Sequence, residues 1–266
     1  MAAKDETRWT TWAVRGAIAL AALALAVVLL FPGIVPRQKY VEVQNDYATP
    51  PKGARRVLFV GNSHTFVHDV PHMVQRLVPK ESRPLAFDAL LSPGKTLAWH
   101  AAQGDVADEV AEHHYDVVVI QPQSTELVRT PRKAKAGLNQ LAAQAGGTPV
   151  LFFQTWPRNP KRDRFAAQFG TMEEWNDTTL KNARATGRRV APVGDVFLCT
   201  YHATRFDLWE KDGNHGSLAG SYVAALTLEH SLYPKAGWTR YAPPGLPANA
   251  ARQLRDAAKK CMAESG

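Results

Sequence analysis

Cysteine is scarce in this chain of 266 residues, which contains only two, and no C-x-x-C pair is present. A zinc ribbon and an iron–sulfur cluster held by four thiolates are therefore excluded. Lysine and arginine outnumber aspartate and glutamate by 32 to 24. No Lys/Arg-rich recognition helix and no stripe of basic and aromatic residues is found, so the charge does not favour nucleic-acid binding. The net charge of +8 is spread along the chain, and we expect a solvated surface that faces anionic lipid or cell-wall polymer.

Charged and polar side chains are absent from residues 17–31. Counting past the break at residues 32–33 to residue 35 gives about 19 residues, enough to cross a bilayer as a helix. The alternative is a cleaved secretory signal, although residues 31–35 offer no Ala-x-Ala site. We predict a tail at 1–15, a transmembrane anchor or signal at 16–35, a linker at 36–55 and an exported domain at 56–266. In an oxidising compartment Cys199 and Cys261 are free to pair, and the sequence leaves open whether they do.

Short apolar runs alternate with helical patterns of about a dozen residues across the domain. The predicted strands are 56–60, 85–91, 116–120, 150–155 and 189–193, and the predicted helices are 71–78, 105–113, 130–145, 172–185, 217–230 and 248–262. This alternation is typical of parallel β-α-β units. We predict an α/β fold, a three-layer α/β/α sandwich with a central parallel sheet. Ligands bind at the carboxyl ends of such strands, here residues 61–64, 92–94, 121–124 and 155–156.

A serine follows the first predicted strand. Ser63 comes two residues after Gly61, which we expect to let the backbone turn sharply. Near the other end of the chain, Asp212 and His215 stand three residues apart. A serine nucleophile needs a neutral imidazole to take its proton, and the imidazole needs a carboxylate to fix its tautomer. Each segment alone is more typical of a helix cap or an Asp-Gly turn, but both in one chain favour a catalytic triad.

Together these segments resemble the SGNH (GDSL-like) hydrolases over residues 56–232. The matching blocks, in order, are Gly61-Asn62-Ser63, then Gly94, then Asp212-Gly-Asn-His215 with the residues up to Tyr222. The resemblance implies Ser63 as nucleophile, His215 as general base and then acid, and Asp212 as the residue that orients His215. It also implies an oxyanion hole formed by the N–H groups of Ser63 and Gly94.

The third block departs from the family pattern. The family has Gly-x-Asn-Asp there, and the Asn side chain completes the oxyanion hole, whereas residues 121–124 read Gln-Pro-Gln-Ser. A Gln carboxamide offers the same donor on a longer stem, so we predict Gln123 as the third donor and Gln121 as the second choice. Losing such a donor costs about 3–4 kcal/mol of transition-state stabilisation, so a substitute is expected. Gly216 stands where the family often has proline, which indicates a looser turn.

Two other interpretations are weaker. The nucleophile elbow of an α/β-hydrolase needs Gly-x-Ser-x-Gly, and Thr65 occupies the last position. His64, His68 and His72 have the spacing of metal ligands on a helix, but a proline interrupts that helix and few carboxylates lie nearby. We predict no metal and no cofactor. We predict His64 and Trp156 as substrate-binding residues, although a tryptophan at a strand end is also often core packing.

These residues favour a membrane-anchored serine esterase. It would cleave a small, acetyl-like ester from a carbohydrate or lipid-linked substrate through an acyl-serine intermediate. An O-acyltransferase with the same triad shares the first half-reaction, so the sequence does not separate the two. A hypothesis from another class is a catalytically silent protein that binds anionic envelope polymer, suggested by the charge and the missing third block. The expected partners are the ester substrate and the membrane, and not nucleic acid.

Overall fold

Five parallel strands form one sheet in the computed structural model, which describes residues 40–265. They are β1 (Arg55–Gly61), β2 (Leu85–Leu91), β3 (Val117–Ile120), β4 (Val150–Phe153) and β5 (Arg189–Ala191). Their order is β2-β1-β3-β4-β5. The strands are mainly apolar, with charged residues at Arg55, Arg56, Asp88 and Arg189, as expected when helices cover both faces of a parallel sheet. The predicted α/β fold with a central parallel sheet is confirmed.

Helices connect these strands in chain order. Within the described residues they are α1 (Ser63–Phe66), α2 (Val70–Leu77), α3 (Leu97–Gln103), α4 (Asp105–Glu112), α5 (Glu126–Arg129), α6 (Pro131–Gln144), α7 (Met172–Arg184), α8 (Val193–Thr204), α9 (Leu218–Leu232) and α10 (Ala248–Glu264). The six predicted helices correspond to α2, α4, α6, α7, α9 and α10. The sequence pattern does not predict α1, α3, α5 and α8. The first three are short, and α8 buries residues on several sides, so its pattern has no clear helical period.

Alternate side chains of each strand enter different hydrophobic cores. Phe59 and Phe153 belong to the core that includes residues of α2, α8, α9 and α10. Val60 and Phe152 belong to the core that includes residues of α3, α4 and α6. Successive side chains of a strand point to opposite faces, so each strand contributes to both cores. The helices therefore form one layer on each side of the sheet.

The segment before β1 is not a free linker. The Val41 N–H donates to the Leu91 oxygen at 2.9 Å, and Asn45 Nδ2 donates to the Phe87 oxygen at 2.7 Å. Because β2 is an edge strand, its outer polar groups need partners, and this segment supplies them. The predicted linker at 36–55 is therefore wrong from residue 40 onwards.

The predicted tail at 1–15 and the predicted anchor or signal at 16–35 lie outside the described residues. Between residues 40 and 265, no helix combines the length and apolarity needed to cross a bilayer. Cys199 in α8 and Cys261 in α10 form a disulfide, with their Cα atoms 5.8 Å apart. The pairing that the sequence left open is therefore present.

Candidate active site

Ser63 lies at the carboxyl end of the sheet, immediately beyond β1. The chain passes from β1 to β2 and then back across β1 to β3, so the crevice beside β1 is the switch point where open α/β sheets bind ligands. Asn62 caps α1, since its Oδ1 accepts the His64 N–H at 3.3 Å. Ser63 is the first residue of α1.

Position 61 requires glycine because a side chain has no room there, and not because the backbone has an unusual conformation. A Cβ at this position would lie 2.7 Å from Oε1 of Gln121 and 3.2 Å from Oγ1 of Thr65. Oε1 of Gln121 accepts hydrogen bonds from the Asn62 N–H at 2.9 Å and from the Thr65 hydroxyl at 3.0 Å. Gly61 is not among the positive-φ glycines of the described chain, so the turn from β1 into α1 does not depend on a left-handed backbone at this position. Gln121 is buried in this role and does not line the cavity described below.

The structure brings the three predicted triad residues together. His215 Nε2 lies 2.9 Å from Ser63 Oγ, and His215 Nδ1 lies 2.5 Å from Asp212 Oδ2. Because Nδ1–H donates to the carboxylate, Nε2 carries the lone pair that accepts the Ser63 proton. The His215 side chain is 29% exposed and that of Asp212 is 49% exposed. Solvent therefore reaches the triad from the Asp212 side.

The loop that carries Asp212 is held by its own hydrogen bonds. Burial raises the pKa of Asp212, but hydrogen bonds from the Asn214 N–H and from His215 outweigh this and hold the pKa below its usual value. The Glu210 N–H donates to the His215 oxygen at 2.8 Å. Gly216 forms a backbone bridge with Trp209, so glycine at this position does not produce the looser turn that we expected.

An open cavity of about 520 Å³ lies beside Ser63 and His215. Its other lining residues are Asn62, Phe66, Val67, Pro93, Gly94, Gln123, Ser124 and Asn214. The backbone N–H groups of Ser63 and Gly94 donate to no acceptor within residues 40–265. Gly94 has φ +66°, a conformation that favours glycine. Two free donors beside a hydroxyl nucleophile are the arrangement that stabilises an oxyanion.

Gln123 lines the same cavity and its carboxamide has a fixed orientation. Oε1 accepts the Thr125 N–H at 2.8 Å and the Thr125 hydroxyl at 2.7 Å. Nε2 donates one hydrogen to Ser124 Oγ at 3.2 Å. An amide nitrogen has two hydrogens, so one is left for a ligand in the cavity. Gln123 is thus placed to act as the third donor, and Ser124 is a cavity residue that sequence analysis missed.

His64 and Trp156 lie beneath the catalytic loop and do not reach the cavity. Their rings stack with centroids 4.2 Å apart, and both side chains are buried. Trp156 also stacks on Phe197. Burial lowers the pKa of His64 to about 3, so this imidazole is neutral. The prediction that these two residues contact substrate is wrong, because the aromatic stack fills the core behind the loop.

Asn214 is the residue that joins this stack to the triad. Its Oδ1 accepts hydrogen bonds from His64 Nε2 at 3.1 Å and from Arg158 Nε at 2.7 Å. Its backbone oxygen accepts the Trp156 Nε1–H at 3.0 Å. Arg158 is in turn paired with Asp163 at 2.7 Å. Asn214 lies inside the Asp-x-x-His block, but its role depends on residues far away in sequence, so the motif alone gave no signal for it.

The three histidines spaced by four do not converge. His68 pairs with Glu210 at 2.8 Å and His72 with Asp46 at 2.9 Å, while His64 contacts Asn214. No group of three His, Cys, Asp or Glu side chains within residues 40–265 is arranged to hold a metal ion.

Comparison with known proteins gives structural matches alone. No protein-family model matches the chain, and no curated protein matches it. A solved candidate SGNH hydrolase from Slackia heliotrinireducens matches with TM-score 0.58 and 23% identity, over 67% of this chain and 99% of that one. The lipase/acylhydrolase from Enterococcus faecalis matches at 0.54 and 16%, over 70% and 100%. A candidate GDSL-like lipase from Parabacteroides merdae matches at 0.51 and 12%, over 74% and 100%. The chain therefore has the fold of the SGNH hydrolases, as its sequence predicted.

Proposed function

From the SGNH-hydrolase fold, we propose that this chain is a serine esterase that works through an acyl-Ser63 intermediate. The observation that carries the proposal is the unbroken series of contacts from Asp212 through His215 to the Ser63 hydroxyl, at 2.5 and 2.9 Å, beside an open cavity. The structural match from Enterococcus faecalis is a lipase/acylhydrolase, which supports acyl esters as the substrate class.

Acylation begins when Ser63 Oγ attacks the ester carbonyl carbon while His215 Nε2 accepts the hydroxyl proton. The carbonyl oxygen becomes an oxyanion, which the N–H groups of Ser63 and Gly94 and the Gln123 amide stabilise. The Asp212 carboxylate stabilises the imidazolium that forms. The ester C–O bond then breaks, and His215 returns the proton to the oxygen of the leaving alcohol.

Deacylation repeats these steps with water. His215 takes a proton from a water molecule, whose oxygen attacks the acyl carbon. Collapse of the second tetrahedral intermediate breaks the bond to Ser63 Oγ and returns the proton to it. A sugar hydroxyl in place of water gives an O-acyltransferase, so the acceptor decides between the two outcomes.

The cavity supports a small acyl group. Its volume of about 520 Å³ lies within the usual range for small-molecule sites, and it is shared between acyl group and alcohol. Phe66, Val67 and Pro93 supply its apolar lining. An acetyl-like ester of a carbohydrate or lipid-linked glycan is the substrate that we propose.

The decisive test is labelling of the purified protein with a fluorophosphonate, which reacts with an activated serine. We expect labelling of the wild type and none of Ser63→Ala or His215→Ala. His72→Ala is the matched histidine control, because His72 pairs with Asp46 away from the triad, and it keeps most of the activity. An unlabelled wild type would refute the esterase and favour the silent polymer-binding protein.

Substrate class is tested with a series of p-nitrophenyl esters from acetyl to long acyl chains. We expect kcat/KM to fall as the chain lengthens. A parallel reaction with added sugar acceptor separates hydrolysis from transfer, since only transfer yields an acylated sugar.

Membrane anchoring and export are part of the proposal. The uncharged run at residues 17–31 supports an anchor, and the disulfide between Cys199 and Cys261 supports an oxidising compartment. Alkaline carbonate extraction of membranes is the test: an anchored full-length chain stays in the pellet, and a chain cleaved after a signal is released.

A further inference from the structure

Two of the three oxyanion donors lie in loops that follow strands which are not neighbours in the sheet. Gly94 lies in the loop after β2 and Gln123 in the loop after β3, with β1 between these strands in the sheet. No strand pairing therefore sets the distance between the two loops directly. A displacement of about 1 Å in such a site can lower the rate about a hundredfold, so donors on separate loops need a contact that joins them.

The carboxylate of Glu126 makes this contact. Glu126 is the first residue of α5, and its Oε2 accepts the Gln123 N–H at 2.6 Å. Both of its oxygens accept the Leu97 N–H at 3.2 Å. Leu97 is the first residue of α3, three residues beyond Gly94. These hydrogen bonds, called the Glu126 bridge below, link the two loops past β1.

The surroundings of Glu126 show that the bridge is not an ion pair. The residue is 5% exposed, and its partners in the described chain are backbone N–H groups with no cation among them. Burial raises the pKa of Glu126, and the hydrogen bonds from Gln123 and Leu97 oppose this. Burying a carboxylate costs free energy unless hydrogen bonds compensate it. Here those bonds come from two separate loops.

We infer that Glu126 is a positioning residue for the oxyanion hole: its carboxylate fixes the spacing between the Gly94 and Gln123 donors. The inference rests on the proposed esterase function. Thr125 completes the arrangement, because its two hydrogen bonds to Gln123 Oε1 turn the amide nitrogen away from Thr125. The Glu126 bridge thus sets where the Gln123 backbone lies, and Thr125 sets how its amide is turned.

The test compares Glu126→Met, which keeps the side-chain length but has no oxygen acceptor and only a weakly accepting sulfur, with Glu126→Gln, which keeps an acceptor oxygen. In the full-length chain we expect Glu126→Met to lower kcat for p-nitrophenyl acetate about a hundredfold, with KM changed by less than about threefold. Glu126→Gln should retain kcat within about threefold. The inhibition constant of phenylboronic acid, which mimics the tetrahedral intermediate, should rise in step with the loss of kcat.

The control is Glu174→Met. Glu174 also accepts a backbone N–H in the first turn of a helix, from Thr171 at 2.8 Å, but it is exposed and does not line the cavity. Equal kcat values for Glu126→Met and Glu126→Gln would overturn the inference. A loss of kcat in Glu174→Met as large as that in Glu126→Met would also overturn it. If Glu126→Met does not fold, Glu126→Asp replaces it, because a shorter carboxylate cannot reach both loops. We expect it to lower kcat about tenfold, and unchanged kcat would overturn the inference.

Hydrogen exchange separates failure of the inference from failure of the proposed function. Loss of the Glu126 bridge should raise amide exchange at residues 93–97 and 121–125, and this readout needs no turnover. A wild type that neither hydrolyses esters nor reacts with a fluorophosphonate would refute the esterase. Unchanged exchange in Glu126→Met would refute the bridge whether or not the protein is an esterase.

Discussion

Replacing Asn214 by alanine removes one oxygen that serves two interior donors. Oδ1 of Asn214 accepts His64 Nε2–H at 3.1 Å and Arg158 Nε–H at 2.7 Å. The His64 ring is buried, and the Arg158 side chain is 17% exposed. Leaving a buried donor without a partner costs about 1–3 kcal/mol, and more when the donor is charged. The two donors together predict a loss of about 3–5 kcal/mol in the free energy of unfolding.

The assay is urea unfolding of wild type, Asn214→Ala and Asn214→Asp. A loss of this size corresponds to a drop of about 10 °C in the melting temperature of a domain of this length. Asn214→Asp keeps an acceptor oxygen at the same place, so its free energy of unfolding should fall by less than that of Asn214→Ala. Asn249→Ala is the control, because Asn249 is exposed and accepts the N–H of its own neighbour, Ala250.

The same substitution should also lower kcat, since Asn214 joins the core to the loop that carries His215 and Asp212. Under conditions where Asn214→Ala is fully folded, we expect a loss of at least about tenfold in kcat. A single ordinary hydrogen bond contributes about 1 kcal/mol. A smaller loss of unfolding free energy would refute the claim that two buried donors are left without a partner. Full activity in a destabilised but folded variant would show that Asn214 stabilises the domain without positioning the triad.

Three further predictions concern stability. Because the pKa of His64 is about 3 when folded and near 6.5 when unfolded, only the unfolded chain gains this proton between those values. The proton that His64 takes up on unfolding should lower stability by about 1.4 kcal/mol for each pH unit below 6.5, and His64→Phe should remove that part of the slope in urea titrations at several pH values. Gly61→Ala places a methyl group 2.7 Å from Gln121 Oε1 and should lower the melting temperature through a loss of about 1–3 kcal/mol; an unchanged value would show that Gln121 moves freely. Reducing the disulfide between Cys199 and Cys261, separated by 62 residues, should lower the free energy of unfolding by about 4 kcal/mol. Unfolding is measured with and without reductant, and the same midpoint in both would contradict this prediction.

Much of the fold could be read from local pattern because buried parallel strands are short, apolar and bounded by turn residues. The strand predicted at residues 85–91 has the observed bounds, and Ser217 caps α9 as expected. The pattern of α8 does not predict a helix because α8 buries several sides. The segment from residue 40 has the composition of a linker, and its partners on β2 lie far along the chain. Periodicity reports one buried face. The helix α9 is also buried on several sides, but Ser217 marks its start, whereas no side chain caps α8.

The features of the candidate site also divide into those that the sequence identifies and those that depend on tertiary structure. The residues that carry chemistry, Ser63, Asp212 and His215, could be named from the sequence because each stands in a short block whose residue types suit one reaction. The sequence could not show that Gly61 makes room for Gln121. It also could not show that the imidazole of His64 turns inward to Trp156 rather than outward to a ligand. Those facts depend on which side chain from a distant segment fills the neighbouring space, and only the tertiary packing of the chain decides that.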